Sequence, residues 1–160
     1  MELVQKTMRF RRMYFVIGFM ILVAAIPVMN FLSKPASLGL EDGKLTECPN
    51  SPNCVSTQTD QTTKQMASLK YSGDSEEAMQ RLREILKSMP RTRIVSRTNV
   101  YLHVEVRSLW MRYADDVEFL IDEEQKQIHF RSASRVGHSD LGVNRNRMQD
   151  ISDQFQKLPF

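Results

Sequence analysis

The residue types that can do chemistry are concentrated between positions 131 and 147. This stretch combines arginines, hydroxyls, a histidine and a carboxylate, and its candidate ligand-binding residues are Arg131, Ser134, Arg135, His138, Asp140, Asn144 and Arg145. Guanidinium groups and the free N–H groups at the start of a helix bind anionic groups. The stretch therefore predicts a site for an anionic ligand, with Arg131 and Arg135 as its charged fork.

A second interpretation gives the same arginines a structural role. Asp115, Asp116, Glu118 and Asp140 can neutralise them in a buried network that only holds the loop. Buried charges usually need partners, so the pattern favours this network over ligand binding. Successive residues of a strand point to opposite faces, and we therefore expect Asp115 and Asp116 to be badly placed for sharing a proton.

Cys48 and Cys54 flank a short segment that contains Pro49 and Pro52. Prolines fold a chain back on itself, and thiols outside the cytoplasm tend to oxidise, so we predict a structural disulfide. A redox-active pair, a metal site and two free thiols are the alternatives. The redox-active pair has less support because the C-x-x-C spacing is missing. The metal site lacks further ligands, because the three histidines show no zinc-like spacing.

Catalytic motifs are missing from the sequence, which has no G-x-S-x-G, H-E-x-x-H or G-x-x-x-x-G-K pattern. His138, Ser139 and Asp140 are triad residue types, but a triad is defined by geometry in space and not by adjacency. We assign no catalytic residue, no metal and no cofactor. Enzymatic activity stays open, and a non-enzymatic role is favoured.

The elements that must position these residues follow from hydrophobic periodicity. The pattern predicts helices at 75–88 and 143–156 and strands at 92–97, 100–109, 116–121 and 127–133. We therefore expect an α+β domain of two layers, a four-stranded antiparallel sheet with two helices on one face. Polar residues alternate with the apolar ones, and we expect a solvated outer face that carries Glu105, Arg107, Glu118, His129 and Arg131.

The N-terminal part of the chain predicts a membrane anchor. Residues 13–32 form a segment without charged side chains. This segment is long enough to cross a bilayer as a helix. The basic flank at 1–12 indicates a cytoplasmic N-terminus by the positive-inside rule, followed after the span by a linker at 33–46. The remainder, 47–160, would then be an extracytoplasmic domain, periplasmic if the cell is Gram-negative. A cleaved signal peptide is the alternative.

The net charge of +3 does not indicate nucleic-acid binding. Residues 33–160 carry equal numbers of basic and acidic side chains, so the excess of positive charge belongs to the N-terminal flank. A nucleic-acid-binding domain needs a basic surface of its own. We expect the membrane as a partner through 13–32, and no nucleic acid.

Two separated motifs carry a resemblance to a known family. The segments C-P-N-S-P-N-C-V-S at 48–56 and F-R-S-A-S-R-V-G-H-S-D-L-G-V-N-R-N-R at 130–147, with D-D-V-E-F at 115–119, resemble the domain-of-unknown-function 1499 family. The resemblance covers about 45–157. It implies a small exported or membrane-associated protein and brings no catalytic roles with it.

The sequence as a whole therefore predicts a membrane-anchored protein of the cell envelope whose domain binds a ligand or partner. That partner would be an anionic ligand or another envelope protein. The alternative function is an envelope enzyme that acts on an anionic substrate through the loop at 131–147. A purely structural subunit of an assembly is a third possibility, and a large exposed apolar patch would be its sign.

Overall fold

The computed structural model of the protein describes residues 2–35 and 37–157. Its elements in chain order are α1 (Glu2–Leu32), β1 (Leu40–Glu41), β2 (Lys44–Leu45), β3 (Cys54–Ser56), β4 (Leu69–Lys70), α2 (Ser75–Ser88), β5 (Thr92–Arg97), β6 (Tyr101–Arg107), β7 (Ala114–Asp122), β8 (Gln127–Ser134) and α3 (Val143–Lys157). Parts of the predicted flank, linker and domain, at 1, 36 and 158–160, lie outside the described residues.

The sheet has six strands, not the four that the sequence predicts. Strands β5 to β8 form the expected antiparallel meander, and β3 and β4 both pair with the outer edge of β8. Strands β1 and β2 form a separate hairpin. The four-stranded description is wrong because the added strands are only two or three residues long. Elements this short have no alternation to detect, and their partners are far away in sequence.

One face of the sheet is covered by α2 and α3. Asp74 caps α2 by accepting hydrogen bonds from the N–H groups of Glu76 and Glu77, which fixes where the helix begins. The helix ends at Ser88, two residues before Pro90. Its apolar stripe, the stripe of α3 and the alternate residues of the strands form one buried core, whose largest members include Leu82, Leu86, Phe119, Phe130, Met148, Ile151 and Phe155.

The opposite face of the sheet is also buried, although its side chains are polar. It carries His103, Glu105, Asp116, Glu118 and Arg131, all less than a tenth exposed. The expectation of a solvated face is therefore wrong. The reason is that residues 37–46, which include the hairpin β1–β2, lie over β7 and β8. We call these residues the cover strip and the polar side chains beneath it the charged face.

Candidate functional site

The charged face arises from the alternation of the central strands. In the register of the sheet, His103 lies opposite Glu118, and Glu118 lies opposite Arg131. The side chains that alternate with them point into the core under α2 and α3. Burying so many ionisable groups is costly unless each has a partner, so the contacts between them decide what this face can do.

Each arginine of the charged face is paired with a carboxylate. Arg131 Nη1 lies 3.0 Å from Glu118 Oε2. Arg135 Nη2 lies 2.8 Å from both Asp116 Oδ1 and Glu105 Oε2, and its Nε donates to Asp116 Oδ2 at 2.8 Å. The predicted fork of Arg131 and Arg135 is therefore already occupied by the chain's own carboxylates.

The pairing sets the protonation of this face. Burial by itself would raise the pKa of the Asp116 carboxyl, but hydrogen bonds from Arg135 and His103 outweigh it, and the pKa lies below its ordinary value. Burial would likewise raise the pKa of the Glu105 carboxyl, but the guanidinium groups of Arg107 and Arg135 lower it by more. The pKa of Glu105 therefore also lies below its ordinary value. Both groups are therefore carboxylates at neutral pH, as their partners require.

The cover strip completes the hydrogen bonds of Glu118. The backbone N–H of Gly39 donates to Glu118 Oε1 at 2.6 Å, and the Tyr101 hydroxyl donates to the same oxygen at 2.6 Å. Gly39 has a positive φ of 97°, a backbone conformation that side chains with a Cβ rarely adopt. The segment predicted as a linker thus supplies part of the structure that holds the charged face.

The end of α1 is joined to the same region. Arg135 Nη1 donates to the carbonyl of Ser33 at 2.8 Å, and Asn30 Nδ2 donates to the carbonyl of Met111 at 2.7 Å. The Arg107 guanidinium lies over the Phe31 ring, 4.7 Å from its centroid. The arginines that bind carboxylates on the sheet therefore also hold the chain where it leaves the helix.

A second polar cluster lies on the other side of the sheet, at the start of α3. Asn144 is fully buried, and its Nδ2 donates to the carbonyl of Asn53 and to Ser134 Oγ, both at 3.1 Å. Its Oδ1 accepts from Ser132 Oγ at 2.5 Å. Arg147 donates to Asp115 Oδ2 at 2.5 Å. Asp115 and Asp116 thus serve different clusters on opposite faces, as strand geometry requires.

The predicted ligand site is therefore divided by the sheet. Arg131 and Arg135 belong to the charged face, whereas Ser134 and Asn144 belong to the α3 cluster. Asp140 caps α3 by accepting from the N–H groups of Gly142 and Asn144. This carboxylate occupies the helix N-terminus at which the sequence suggested that an anion would bind.

Arg145 differs from the other arginines of the loop. Its Nη2 donates to the carbonyl of Thr63 at 2.6 Å and its Nη1 donates to the carbonyl of Gln65 at 3.5 Å. Among the residues that the structure describes, no carboxylate lies within salt-bridge distance of its guanidinium. Its positive charge is thus compensated only by carbonyl dipoles.

Arg145 lines an open cleft of about 320 Å³. The cleft brings together the two motifs of the sequence, because Pro52 and Cys54 form one wall and residues 139–142 form the other. Cys48 and Cys54 are joined in a disulfide, as predicted, which fixes the first wall. His138 is exposed on the adjoining loop and makes no hydrogen bond within the described part of the chain.

Sequence reasoning missed two members of these clusters. Asn53 donates from its Nδ2 to the carbonyl of Gly137 at 2.7 Å and so ties the disulfide loop to the loop before α3. Arg147 was assigned no contact, although it holds Asp115. Both residues lie inside the two motifs, but only the fold shows that these motifs meet. Within the described residues, no group of three or more His, Cys, Asp or Glu side chains could hold a metal ion.

Comparison with known proteins gives one family. The family model described as "Protein of unknown function (DUF1499)" matches residues 44–155, well over half of the chain. No curated protein matches the chain. Within the described residues, one helix, Phe10–Leu32, is long and apolar enough to cross a membrane. The match begins inside the cover strip and ends in α3, so it includes both polar clusters and both walls of the cleft.

Proposed function

The chain belongs to the DUF1499 family of proteins of unknown function, and we propose that it is a membrane-anchored domain of the cell envelope that binds an anionic ligand. In this proposal α1 is the single membrane span and the N-terminus is cytoplasmic. The domain stands on the outer side, which is the periplasm in a Gram-negative cell. The ligand binds in the cleft between the disulfide loop and the start of α3.

The observation that carries the binding site is the state of Arg145. Arg131, Arg135 and Arg147 are each neutralised by a carboxylate of the chain, whereas Arg145 lines the cleft and has only carbonyl partners among the described residues. A guanidinium can accept a further carboxylate or phosphate in two parallel hydrogen bonds. The charge of Arg145 therefore favours an anionic group on the ligand.

The walls of the cleft support a small ligand. The cleft is open to solvent and holds about 320 Å³, the lower end of the range for small-molecule sites. The Ser139 hydroxyl stands at its edge and can donate to the ligand while its oxygen accepts from the Leu141 N–H. The disulfide and the Asp140 cap hold both walls, so the site is formed before the ligand arrives.

The enzyme alternative has less support. Asp140 is committed to two backbone N–H groups of α3, which makes it a poor general base. His138 is exposed on a loop and has no hydrogen-bonding group to orient its ring among the described residues. General acid–base catalysis needs such a group to be held near its substrate. A binding role requires only the charge and the shape of the cleft.

Native mass spectrometry of the full-length protein, extracted gently from its own membrane, tests the proposal. We expect a bound anionic small molecule on the wild-type protein and its loss from Arg145→Gln. Lys87→Gln is the matched control, because it removes one positive charge from the last turn of α2, away from the cleft. An Arg145→Gln protein that keeps the ligand would contradict the site.

The same spectra test the anchor and the disulfide. An intact mass that includes the N-terminal residues supports a retained span, and a mass that begins after them would show a cleaved signal peptide instead. Reduction should add two hydrogens, one for each sulfur of the Cys48–Cys54 disulfide.

A further inference from the structure

The end of the sheet nearest to α1 carries an exposed apolar loop. Residues 108–113 connect β6 to β7, and the register places this loop beside the last residues of β8. Four of its six side chains are large, apolar or aromatic, and exposed, namely Leu109 at 58%, Trp110 at 83%, Met111 at 38% and Tyr113 at 41%. Contiguous apolar side chains left in water usually mark a contact surface.

The position of α1 identifies what this surface meets. Asn30, in the last turn of the helix, donates a hydrogen bond of 2.7 Å to the carbonyl of Met111 in the loop. The uncharged part of the helix ends at Leu32 and is followed by Ser33 and Lys34. A membrane span that ends there has Asn30 close to the boundary between acyl chains and headgroups. The loop is therefore held at the height of that boundary.

Cations surround the same place. A cleft of about 450 Å³ beside Phe31 is lined by Arg91, Arg93 and Arg112 together with the paired residues Glu105 and Arg107. Arg93 is 69% exposed in its side chain, and its distance of 3.5 Å to Glu105 is a loose contact that solvent weakens. Tryptophan and tyrosine beside arginines are typical of the membrane–water interface.

We infer that the loop 108–113 dips into the lipid headgroup layer and that the arginines around Phe31 face the phosphates of the phospholipids. This inference rests on the proposed function, because it takes α1 to be a retained membrane span. It assigns the domain a second attachment to the bilayer besides the helix. Trp110 enters deepest, since it is the most exposed of the four, and Arg93 and Arg112 supply the charge.

A bilayer fits this surface better than a second protein does. The surface is continuous with the helix end, so a partner protein would have to occupy the space that headgroups fill around the span. The amphipathic rings of tryptophan and tyrosine are enriched in that layer, and cationic side chains are attracted to anionic lipid. The contacts of the helix end with Met111, Arg107 and Arg135 hold the loop at a fixed depth.

Trp110 is the only tryptophan of the chain, so its fluorescence reports on the loop without any substitution. The full-length protein is reconstituted in phospholipid vesicles that carry a nitroxide either near the headgroup or at the end of the acyl chain. We expect blue-shifted emission, quenching mainly by the headgroup-proximal nitroxide, and poor quenching by iodide in the buffer. Red-shifted emission with free access for iodide and no nitroxide quenching would overturn the inference.

Moving the tryptophan to another part of the sheet distinguishes membrane contact of the loop from mere closeness of the whole domain to the bilayer. In Trp110→Phe/Val100→Trp the reporter moves to the turn between β5 and β6, at the opposite end of the sheet, where Val100 is partly exposed. We expect this variant to lose the nitroxide quenching. Equal quenching of both proteins would overturn the inference, because the far end of the sheet cannot reach the same depth.

Removing the cations gives a second readout. Arg93→Gln/Arg112→Gln should reduce nitroxide quenching of Trp110 severalfold in vesicles that contain anionic lipid, whereas Lys70→Gln, an exposed position paired with Gln127 at the opposite end of the sheet, should leave it unchanged. Identical quenching in all three proteins would overturn the role of the arginines.

Alkaline carbonate extraction of the same vesicles shows separately whether α1 is inserted. Protein that resists extraction but shows no quenching contradicts the inference alone, and protein that is extracted contradicts the proposed anchor.

Discussion

Asn144 shows, at the scale of single residues, how much of the fold depends on one buried amide. Its side chain joins the disulfide loop at Asn53, the end of β8 at Ser132 and Ser134, and α3 itself. All four of its hydrogen-bonding positions in this cluster are away from solvent. A buried polar group that loses its partner costs about 1–3 kcal/mol, so the whole arrangement is sensitive to this residue.

We therefore expect Asn144→Leu to lower the free energy of unfolding by about 2–3 kcal/mol. The substitution removes a hydrogen-bond partner from both the carbonyl of Asn53 and the hydroxyl of Ser132. Urea unfolding of the full-length protein, followed by far-UV circular dichroism, measures the change. Asn146→Leu is the control, since Asn146 is exposed on the same helix. If the two variants unfold at the same urea concentration, Asn144 does not hold the cluster.

Arg135 gives a prediction about pH. The pKa values of Asp116 and Glu105 are lowered in the folded protein, as burial is outweighed by the arginines. A carboxyl of this kind stabilises the fold above its unfolded pKa of about 4, and the stabilisation disappears as the pH falls through the lower, folded pKa. Wild-type stability should therefore decrease as the pH falls from about 5 downward.

In Arg135→Gln the two carboxylates lose their shared partner. We expect lower stability than in the wild type at neutral pH and a shallower loss of stability in acid, because each carboxyl has lost one of the partners that lower its pKa in the folded protein. Urea midpoints at neutral and acidic pH measure both effects. Arg97→Gln removes an exposed arginine of β5 and should follow the wild type. Parallel pH profiles for the wild type and Arg135→Gln would contradict this account.

The sequence predicted part of this residue-scale picture. Alternation along β6, β7 and β8 correctly placed Glu105, Glu118 and Arg131 on one face and separated Asp115 from Asp116. It did not predict the burial of that face, since the strip that covers it comes from a different part of the chain. Nor could it predict that Arg135 turns back to Asp116, because that depends on the path of the loop after β8, which includes Gly137 at a φ of 91°.

The cover strip is the element that periodicity describes least well. Its density of chain-breaking and polar residues predicts a linker, yet its backbone is hydrogen-bonded at several points. The N–H of Gly39 donates to Glu118, the N–H of Leu45 donates to Gln58 Oε1 at 2.9 Å, and the N–H of Thr46 donates to the Gly39 carbonyl at 3.2 Å. By contrast α2 was predicted with its bounds, because its cap, its stripe and Pro90 are all local signals.

Hydrogen exchange distinguishes a cover from a tether. We expect the amides of Gly39, Leu45 and Thr46 to exchange at least about tenfold more slowly than those of an unstructured segment, because each donates a hydrogen bond within the protein. Gln58→Ala should speed exchange at Leu45 by removing its acceptor, and Gln80→Ala on the exposed face of α2 should not. Exchange across 39–46 at the unstructured rate would show that the strip is a flexible linker.

At the scale of the whole molecule, the contacts at the end of α1 determine how the domain is oriented relative to that helix. Asn30, Phe31 and Ser33 are each bound to the sheet or its loops. A domain on a free linker would sample many orientations, whereas these contacts hold one. If α1 is the membrane span that we propose, this orientation decides whether the cleft at Arg145 opens along the membrane or away from it.

Paired spin labels test this rigidity. With labels at Ile21→Cys in the helix and Val100→Cys at the far end of the sheet, we expect a narrow distance distribution in reconstituted protein. Arg107→Ala/Arg135→Ala should broaden it, since both arginines bind the helix end, and Arg97→Ala should not. The native cysteines do not interfere because they form a disulfide. A distribution equally broad in all the proteins would show that helix and domain move independently.

The contact between Arg135 and Ser33 also sets an order of events during synthesis. The two residues are 102 positions apart, and the cover strip likewise waits for Glu118, 79 positions after Gly39. The strip leaves the ribosome early, but the surface that it covers exists only after β7 and β8 have been translated. Until then the charged face is unformed, and residues 37–46 have no surface to cover. The first part of the domain to be made is thus unable to reach its native contacts until most of the sheet has been made.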